Sequence, residues 1–298
     1  MVLVGTTASG KSELAFAVAR ARPGTEIVSV DSMSVYRGMD IGTAKPTPEQ
    51  RAAVRHHLID LFDPAEECTV ARFQEAARAA LADIAGRGGR ALLVGGTGLY
   101  VRAIVDDLTV PPRYPEVAAR LEAEAEQPGG VAALYDRLCS LDPAAAARMT
   151  PQNRRRVVRA LEVTLGSGRP FSSFGPGLLE YRPTRFALLG LPFDPARVDA
   201  RIEARFAGWM AAGLLDEVRA LARRPGGLSR TARQALGYRE LLAHLEGRLS
   251  LADAVASAIR RTRTFARRQW AWFRRDPRIT WVAADQDPAE VLGAALDR

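Results

Sequence analysis

Short apolar runs alternate along this chain with longer stretches in which apolar residues recur every three or four positions. The first run, "VLVG" at residues 2–5, reads as a buried parallel strand, and "KSELAFAVARA" at 11–21 as the helix that follows it. A second strand, "EIVSVD" at 26–31, ends on Asp31, and another is expected around 57–61 within "HHLIDL". A helical pattern then covers 70–88, followed by the buried strand "RALLVGG" at 90–96. Strands alternating with helices predict a doubly wound α/β fold with a parallel sheet flanked by helices. Ligands in such sheets sit beyond the carboxyl ends of the strands. The loops after 5, 31 and 94 are therefore expected to converge on one site.

The pattern changes near 111. Residues 113–175 contain no obvious buried strand and read as short helices broken by Pro and Gly pairs. This segment is taken as an all-helical insertion, leaving a core of 1–112 and 176–298. The sheet resumes at "RFALLGLPF", 185–193. Long helices are predicted over 197–224 and 251–276, then a last strand over 279–284 and a short terminal helix. There is no internal repeat and no apolar run of 18 residues, so no membrane span is expected.

Composition sharpens this in two places. The 298 residues carry a net charge of +8 and a pI near 10.1, which favours a polyanionic partner. Of 42 basic residues only Lys11 and Lys45 are lysines, leaving 42 − 2 = 40 arginines. A coding bias toward arginine explains the total, and it makes a lysine placed in a phosphate loop more noticeable. A compact ammonium suits a nest that has no room for a planar fork. Two cysteines, Cys68 and Cys139, make no disulfide framework, and the chain enters its first strand without a signal peptide. Both suit a cytoplasmic protein, expected as a monomer.

The strongest motif is "GTTASGKS". Gly5, Thr6, Thr7, Ala8, Ser9, Gly10, Lys11 and Ser12 fit the P-loop template at all four fixed positions, between a strand and a helix. Backbone N–H groups of 7–12 would cradle phosphates, Lys11 would neutralise them, and the Ser12 hydroxyl would reach Mg²⁺. Asp31 ends its strand as a Walker B acid does, though only about twenty residues past the loop. It could be a metal ligand, a general base, or the cap of a turn. The polar loop after it, "DSMSVYRGMDIGTAKP", is of the long ordered kind that is usually functional. A second glycine cluster, "LVGGTGLY", puts Gly95, Gly96 and Gly98 at another strand end and offers the Thr97 hydroxyl. Alone it is weak; opposite a P-loop it gains weight.

Two basic blocks follow. "QNRRRVVRALEV" holds Arg154, Arg155, Arg156 and Arg159, with Arg155 and Arg159 on one helix face. Seven arginines from Arg260 to Arg275 interleave with Phe265, Trp270, Trp272 and Phe273. Arginines among aromatics suit RNA, whose splayed bases stack on them, while Trp270 and Phe273 are expected to face inward. His56, His57 and His244 form no metal constellation with the cysteines.

In this order and spacing, "GTTASGKS", "DSMSVYRGMDIGTAKP", "HHLID", "LLVGGTGLY", "RRVVRALEV", "QALGYREL" and "TRTFARRQWAWFR" resemble the tRNA isopentenyltransferase family over nearly the whole chain. The resemblance implies a P-loop NTPase-like core that transfers a dimethylallyl group from dimethylallyl diphosphate to N6 of adenosine 37 in tRNA. By likeness, Lys11 and Ser12 hold the diphosphate with Mg²⁺, Asp31 is the base near N6, and Thr97 stabilises the bridging oxygen of the leaving group. An arginine of "DARIEARF" joins them, Arg205 rather than Arg201. Asp31, Ser32, Met33 and Ser34, then Arg155, Arg156 and Arg159, then Arg233, Gln234, Gly237, Tyr238 and Arg239 correspond to tRNA contacts. The insertion corresponds to the part that clasps the anticodon stem-loop. Many members have Gln where this chain has Ser34 and Arg155. Competing readings are a small-molecule P-loop kinase acting with ATP and a nucleotide-gated RNA-binding switch.

Overall fold

The structure, a computed structural model, describes residues 1–175, 177–178 and 180–297. The expected core boundary at 176 and the last residue, 298, fall outside that range. The chain forms two compact units, Met1–Asp106 with Pro183–Arg298, and Asp107–Arg182.

The first unit is built on six parallel strands: β1 (Val2–Val4), β2 (Thr25–Val30), β3 (His56–His57), β4 (Arg90–Gly95), β5 (Leu188–Gly190) and β6 (Ile279–Trp281), ordered β3-β2-β4-β1-β5-β6. Central β1 pairs Val2 with Leu93 and Leu188, and its three residues are fully buried. Alternation sorts them onto two covered faces. Leu3 packs with Ala15 and Val18 of α1 (Lys11–Arg20) and Leu292 near the chain's end. Val2 and Val4 join the other core with Phe73, Tyr100, Val218, Tyr238 and Phe273. That face is covered by helices that follow in order. After the short α2 (Pro48–Ala53), α3 (Val70–Gly86) and α4 (Gly98–Val105) lie on this face, contributing Phe73 and Tyr100.

The regular elements of the second unit's described residues are all helices: α5 (Pro115–Glu126), α6 (Gly130–Leu141), α7 (Pro143–Ala146), α8 (Arg154–Ser167) and a 3-10 helix at Phe171–Phe174. Its own core joins Leu121, Leu134, Leu138, Val157 and Leu161. Asn153 caps α8, its Oδ1 accepting from the Arg156 amide at 3.3 Å.

The first unit then resumes with α9 (Pro195–Ala211), α10 (Leu214–Ala222), α11 (Tyr238–Leu245), α12 (Leu251–Phe273) and α13 (Pro288–Leu296). The single helix expected over 197–224 is thus two. Gly213, at φ 94°, takes a left-handed turn between them that a helix interior does not allow. The strand expected around 57–61 shrinks to the pair His56–His57, because Leu58 (φ 63°) and Asp60 (φ 58°) leave β space. Of 185–193 and 279–284, only Leu188–Gly190 and Ile279–Trp281 join the ladder.

Candidate active site

Strand β4 lies between β1 and β2, so the loops at the carboxyl ends of all three are neighbours. After β1 the chain makes a tight anion nest. Ala8 (φ 59°) and Gly10 (φ 93°) are both left-handed, and Gly10 is the N-cap of α1. The Lys11 ammonium donates to the Thr6 carbonyl at 3.0 Å. From α9, Arg201 donates to the carbonyls of Ser9 (3.1 Å) and Ala8 (3.4 Å), bracing the loop from behind. The Thr7 amide is spent inside the protein: it donates to Gln269 Oε1 at 2.8 Å. The Ser9 amide likewise donates to the Thr6 carbonyl at 3.3 Å, so two of the 7–12 amides expected to cradle phosphate are already paired.

After β2, Asp31 Oδ1 accepts from the amides of Met33 (2.7 Å) and Ser34 (3.3 Å). This local turn fixes the carboxylate by one oxygen. The Ser32 amide donates to Thr97 Oγ1 at 3.3 Å, which ties the β2 loop to the β4 loop and leaves the Thr97 hydroxyl proton for another acceptor. Thr97 is the N-cap of α4 but caps nothing with its side chain. The glycines beside it are required for approach. A Cβ on Gly95 would strike the Val30 carbonyl, and one on Gly96 would strike the Gln269 amide.

These loops enclose a cavity of about 210 Å³ lined by, among others, Lys11, Ser12, Asp31, Lys45, His56 and Arg205. Thr97 lies outside this lining, as does Ser32, whose amide it accepts. Burial of the Lys11 ammonium lowers its pKa to about 8; Asp31 opposes that shift and Arg205 adds to it. Burial also lowers the Arg205 guanidinium; the Glu13 carboxylate opposes that shift and Arg201 adds to it. Half-buried cations crowded together, offset only in part by the Asp31 and Glu13 carboxylates of the same lining, suit an incoming anion. Among the described residues no group of three or more His, Cys, Asp or Glu could hold a metal. His57 instead lies 2.6 Å from Glu26.

Two features of the far wall had no clear sequence signal. Lys45, whose side chain is 1% exposed, donates to the Tyr36 carbonyl (2.5 Å), Asp40 (2.7 Å) and Asp60 (2.6 Å). Glu217 of α10 accepts from the amides of Asp40 (2.9 Å), Ile41 (2.8 Å) and Gly42 (3.4 Å) and from the Tyr238 hydroxyl (2.5 Å). Tyr238 is 0% exposed, so its side chain is a brace for this loop and not a surface contact. Gly237 is buried too, and Ser34 is buried with its hydroxyl 3.1 Å from that of Ser29.

Of the other candidates for RNA contact, Arg155, Arg156, Arg233, Gln234 and Arg239 are exposed. Arg233 pairs with Glu246 at 2.7 Å. Arg159 is spent within its own unit, on the carbonyls of Pro111 (2.7 Å) and Pro112 (3.1 Å) and on Glu162 (2.8 Å). On α12, Phe273 is buried in the core and Trp270 lies edge-on to Trp281, at 4.7 Å between ring centroids. Arg260, Arg268, Arg274 and Arg275 are exposed. The sequence did not single out Gln269, which sits in that arginine run; nothing in its surroundings along the chain marks it.

The family model described as IPP transferase matches residues 34–276. A tRNA dimethylallyltransferase of Kineococcus radiotolerans is 48% identical over 100% of this chain and 95% of its own length. One from Salinispora tropica is 49% identical over 94% of this chain and 86% of its own. Among solved structures, a tRNA isopentenylpyrophosphate transferase from Bacillus halodurans aligns with a TM-score of 0.70 and 37% identity, covering 99% of this chain and 93% of that one. A eukaryotic dimethylallyltransferase captured acting on tRNA aligns with a TM-score of 0.78 and 25% identity, over 98% of this chain and 76% of its own.

Proposed function

The chain belongs to the IPP transferase family and is a tRNA prenyltransferase, and we propose that it moves a dimethylallyl group from dimethylallyl diphosphate to N6 of adenosine 37. The tRNAs are those that read codons beginning with U, pyrophosphate is released, and the reaction takes place in the cytoplasm. One observation carries the reading: Lys11 and Arg205 share a cavity with Asp31.

An exocyclic adenine amine is a poor nucleophile, because its lone pair is delocalised into the ring. It needs an electrophile that is already ionising, and an allylic diphosphate is one. As the carbon–oxygen bond breaks, negative charge grows on the leaving group. Lys11 and Arg205 face that charge, and the Thr97 hydroxyl proton can reach the bridging oxygen. Such preorganised donors act without reorganising during the reaction. Arg201 acts one step back, holding the loop carbonyls while Arg205 meets the diphosphate. Asp31, held by one oxygen, accepts the N6 proton as the carbon–nitrogen bond forms. The adenine reacts only when flipped out of its stack into a pocket that excludes water.

A divalent ion fits this donor set as a shared ligand of substrate and protein. The Ser12 hydroxyl lines the cavity beside the nest, and no protein cage competes for the ion among the described residues. Mg²⁺ is commonly held this way, by one or two protein oxygens and by phosphates. There it would neutralise the diphosphate. The RNA is met by Ser32 and Met33 beside Asp31 and by the exposed Arg155, Arg156, Arg233, Gln234 and Arg239. Arg159 holds the Pro111 and Pro112 carbonyls, Tyr238 holds Glu217, Gly237 donates its amide to Glu240, and Ser34 lines the cavity beside Asp31.

The test is mass spectrometry of digested, initially unmodified tRNA after incubation with protein, dimethylallyl diphosphate and Mg²⁺. A gain of about 68 Da, one C5H8 unit, on adenosine 37 is expected from displacement of pyrophosphate. Consumption of ATP with no mass gain would instead make the site a kinase or a switch.

A further inference from the structure

Gln269 is the one side chain on α12 that reaches both substrate-facing loops by hydrogen bonds. Its carbonyl accepts from the Thr7 amide at 2.8 Å, and its amide donates to the Gly96 carbonyl at 2.8 Å. Thr7 belongs to the loop after β1, and Gly96 precedes Thr97 in the loop after β4. The residue is 7% exposed, and the neighbouring backbone is shaped to receive it: a Cβ on Gly96 would collide with its amide nitrogen. Three residues on, Trp272 lies against Gly98, so the same helix face braces the β4 loop twice.

A carboxamide is the side chain that offers one donor and one acceptor at the same depth. A purely apolar contact would fill this space, but it would leave one buried N–H and one buried C=O without a partner. On the reaction proposed above, the diphosphate sits on the first loop and its bridging oxygen meets Thr97 on the second. We propose that Gln269 is a positioning residue that sets the separation between the diphosphate nest and Thr97. It touches neither substrate and acts through two backbone groups.

Two variants of the full chain test this, Gln269→Glu and Gln269→Met, each assayed beside wild type for kcat, KM, tRNA binding and thermal unfolding. Glutamate keeps the acceptor for Thr7 and puts a carboxylate against the Gly96 carbonyl. Only when protonated does it restore the donor. Its reference pKa is about 4.3, and burial beside a carbonyl raises that. Methionine removes both bonds at similar volume. We expect kcat of Gln269→Glu to fall about 10-fold or more near pH 8, since small misplacements of reacting groups are costly in rate. KM for tRNA should stay close to wild type. The deficit, taken as a ratio to wild type so that Lys11 titration cancels, should shrink as pH falls. For Gln269→Met it should stay constant with pH.

The proposal is overturned if Gln269→Glu turns over like wild type, if its deficit ignores pH, or if neither variant folds, since the tether would then serve stability alone. Wild type separates the two readings: no prenyl transfer by wild type sinks the proposed reaction, and an active wild type with an equally active Gln269→Glu sinks only the role of Gln269.

Discussion

The chain has two lysines among 42 basic residues, both line one cavity, and they are held in opposite ways. Lys45 has three ammonium protons and three acceptors: the Tyr36 carbonyl, Asp40 and Asp60. Lys11 donates to one acceptor among the described residues, the Thr6 carbonyl, and burial lowers its pKa to about 8. A saturated ammonium stabilises the loop that holds it. An ammonium with protons to spare, half-buried beside Arg205 and offset only in part by Asp31 and Glu13, gains further when an anion arrives. On the far wall, burial pushes the Asp60 carboxyl up, but hydrogen bonds from Lys45 and Arg51 outweigh it and hold the group below its ordinary value. The proposed function needs this difference: one cation with protons left for a ligand and one committed to the fold.

Lys11→Met should break the comparison most severely. Prenyl transfer should fall about 10²–10³-fold, the usual cost of one lost charge-stabilising donor. Calorimetry should show unfolding unchanged or shifted upward, because an under-paired buried cation is gone. A variant that loses stability and keeps its rate would assign Lys11 to the fold.

Lys45→Met should do the reverse. It leaves Asp40 and Asp60 without their shared ammonium and should lower stability by about 1–3 kcal/mol in urea unfolding. Transfer by the folded fraction should fall far less than in Lys11→Met. An unchanged unfolding midpoint would remove Lys45 from the loop's support.

The third prediction concerns pH. Lys11 loses its proton as pH rises through about 8, so affinity for the diphosphate should fall above that value, by at most about tenfold per unit. The stability effect has the opposite sign. Between the folded pKa and the higher unfolded one, the unfolded chain binds more protons, so stability of the ligand-free protein should rise there relative to Lys11→Met. Isothermal titration with dimethylallyl diphosphate and unfolding across pH check the two halves, and a pH-independent affinity would contradict the under-paired ammonium.

The smallest effect is expected for Tyr238→Phe, which deletes one hydrogen bond to Glu217. Stability should drop by about 1 kcal/mol, with tRNA affinity nearly unchanged. A large loss of affinity at constant stability would return Tyr238 to the RNA surface.

Much of this site is legible along the chain. "GTTASGKS" has fixed spacing between a strand and a helix, Asp31 ends an apolar run, and "GGTG" ends another. Those signals are local, because turn chemistry and strand periodicity act over a few residues. The braces are not. Gln269 lies 262 positions from Thr7, inside an arginine-rich run where helical spacing shows only that it faces inward. Glu217 sits in an ordinary amphipathic helix, and its role appears only once three amides of the Asp40–Gly42 turn point at it. Residue type suggests a surface contact for both Tyr238 and Arg159; packing buries Tyr238 and commits the half-buried Arg159 to carbonyls of its own unit.

Residue order alone therefore marked a phosphate-loop motif, the ends of β1, β2 and β4 to within a residue, and that a parallel sheet would gather those ends. Packing decided which of the two arginines on α9 enters the cavity and which holds the loop, which lysine keeps protons to spare, and that one glutamine on a distant helix joins the two loops. The physical reason is that a phosphate nest is made by consecutive backbone amides, whose geometry the local sequence dictates. The distance between two such loops depends on side chains that arrive from elsewhere in the fold.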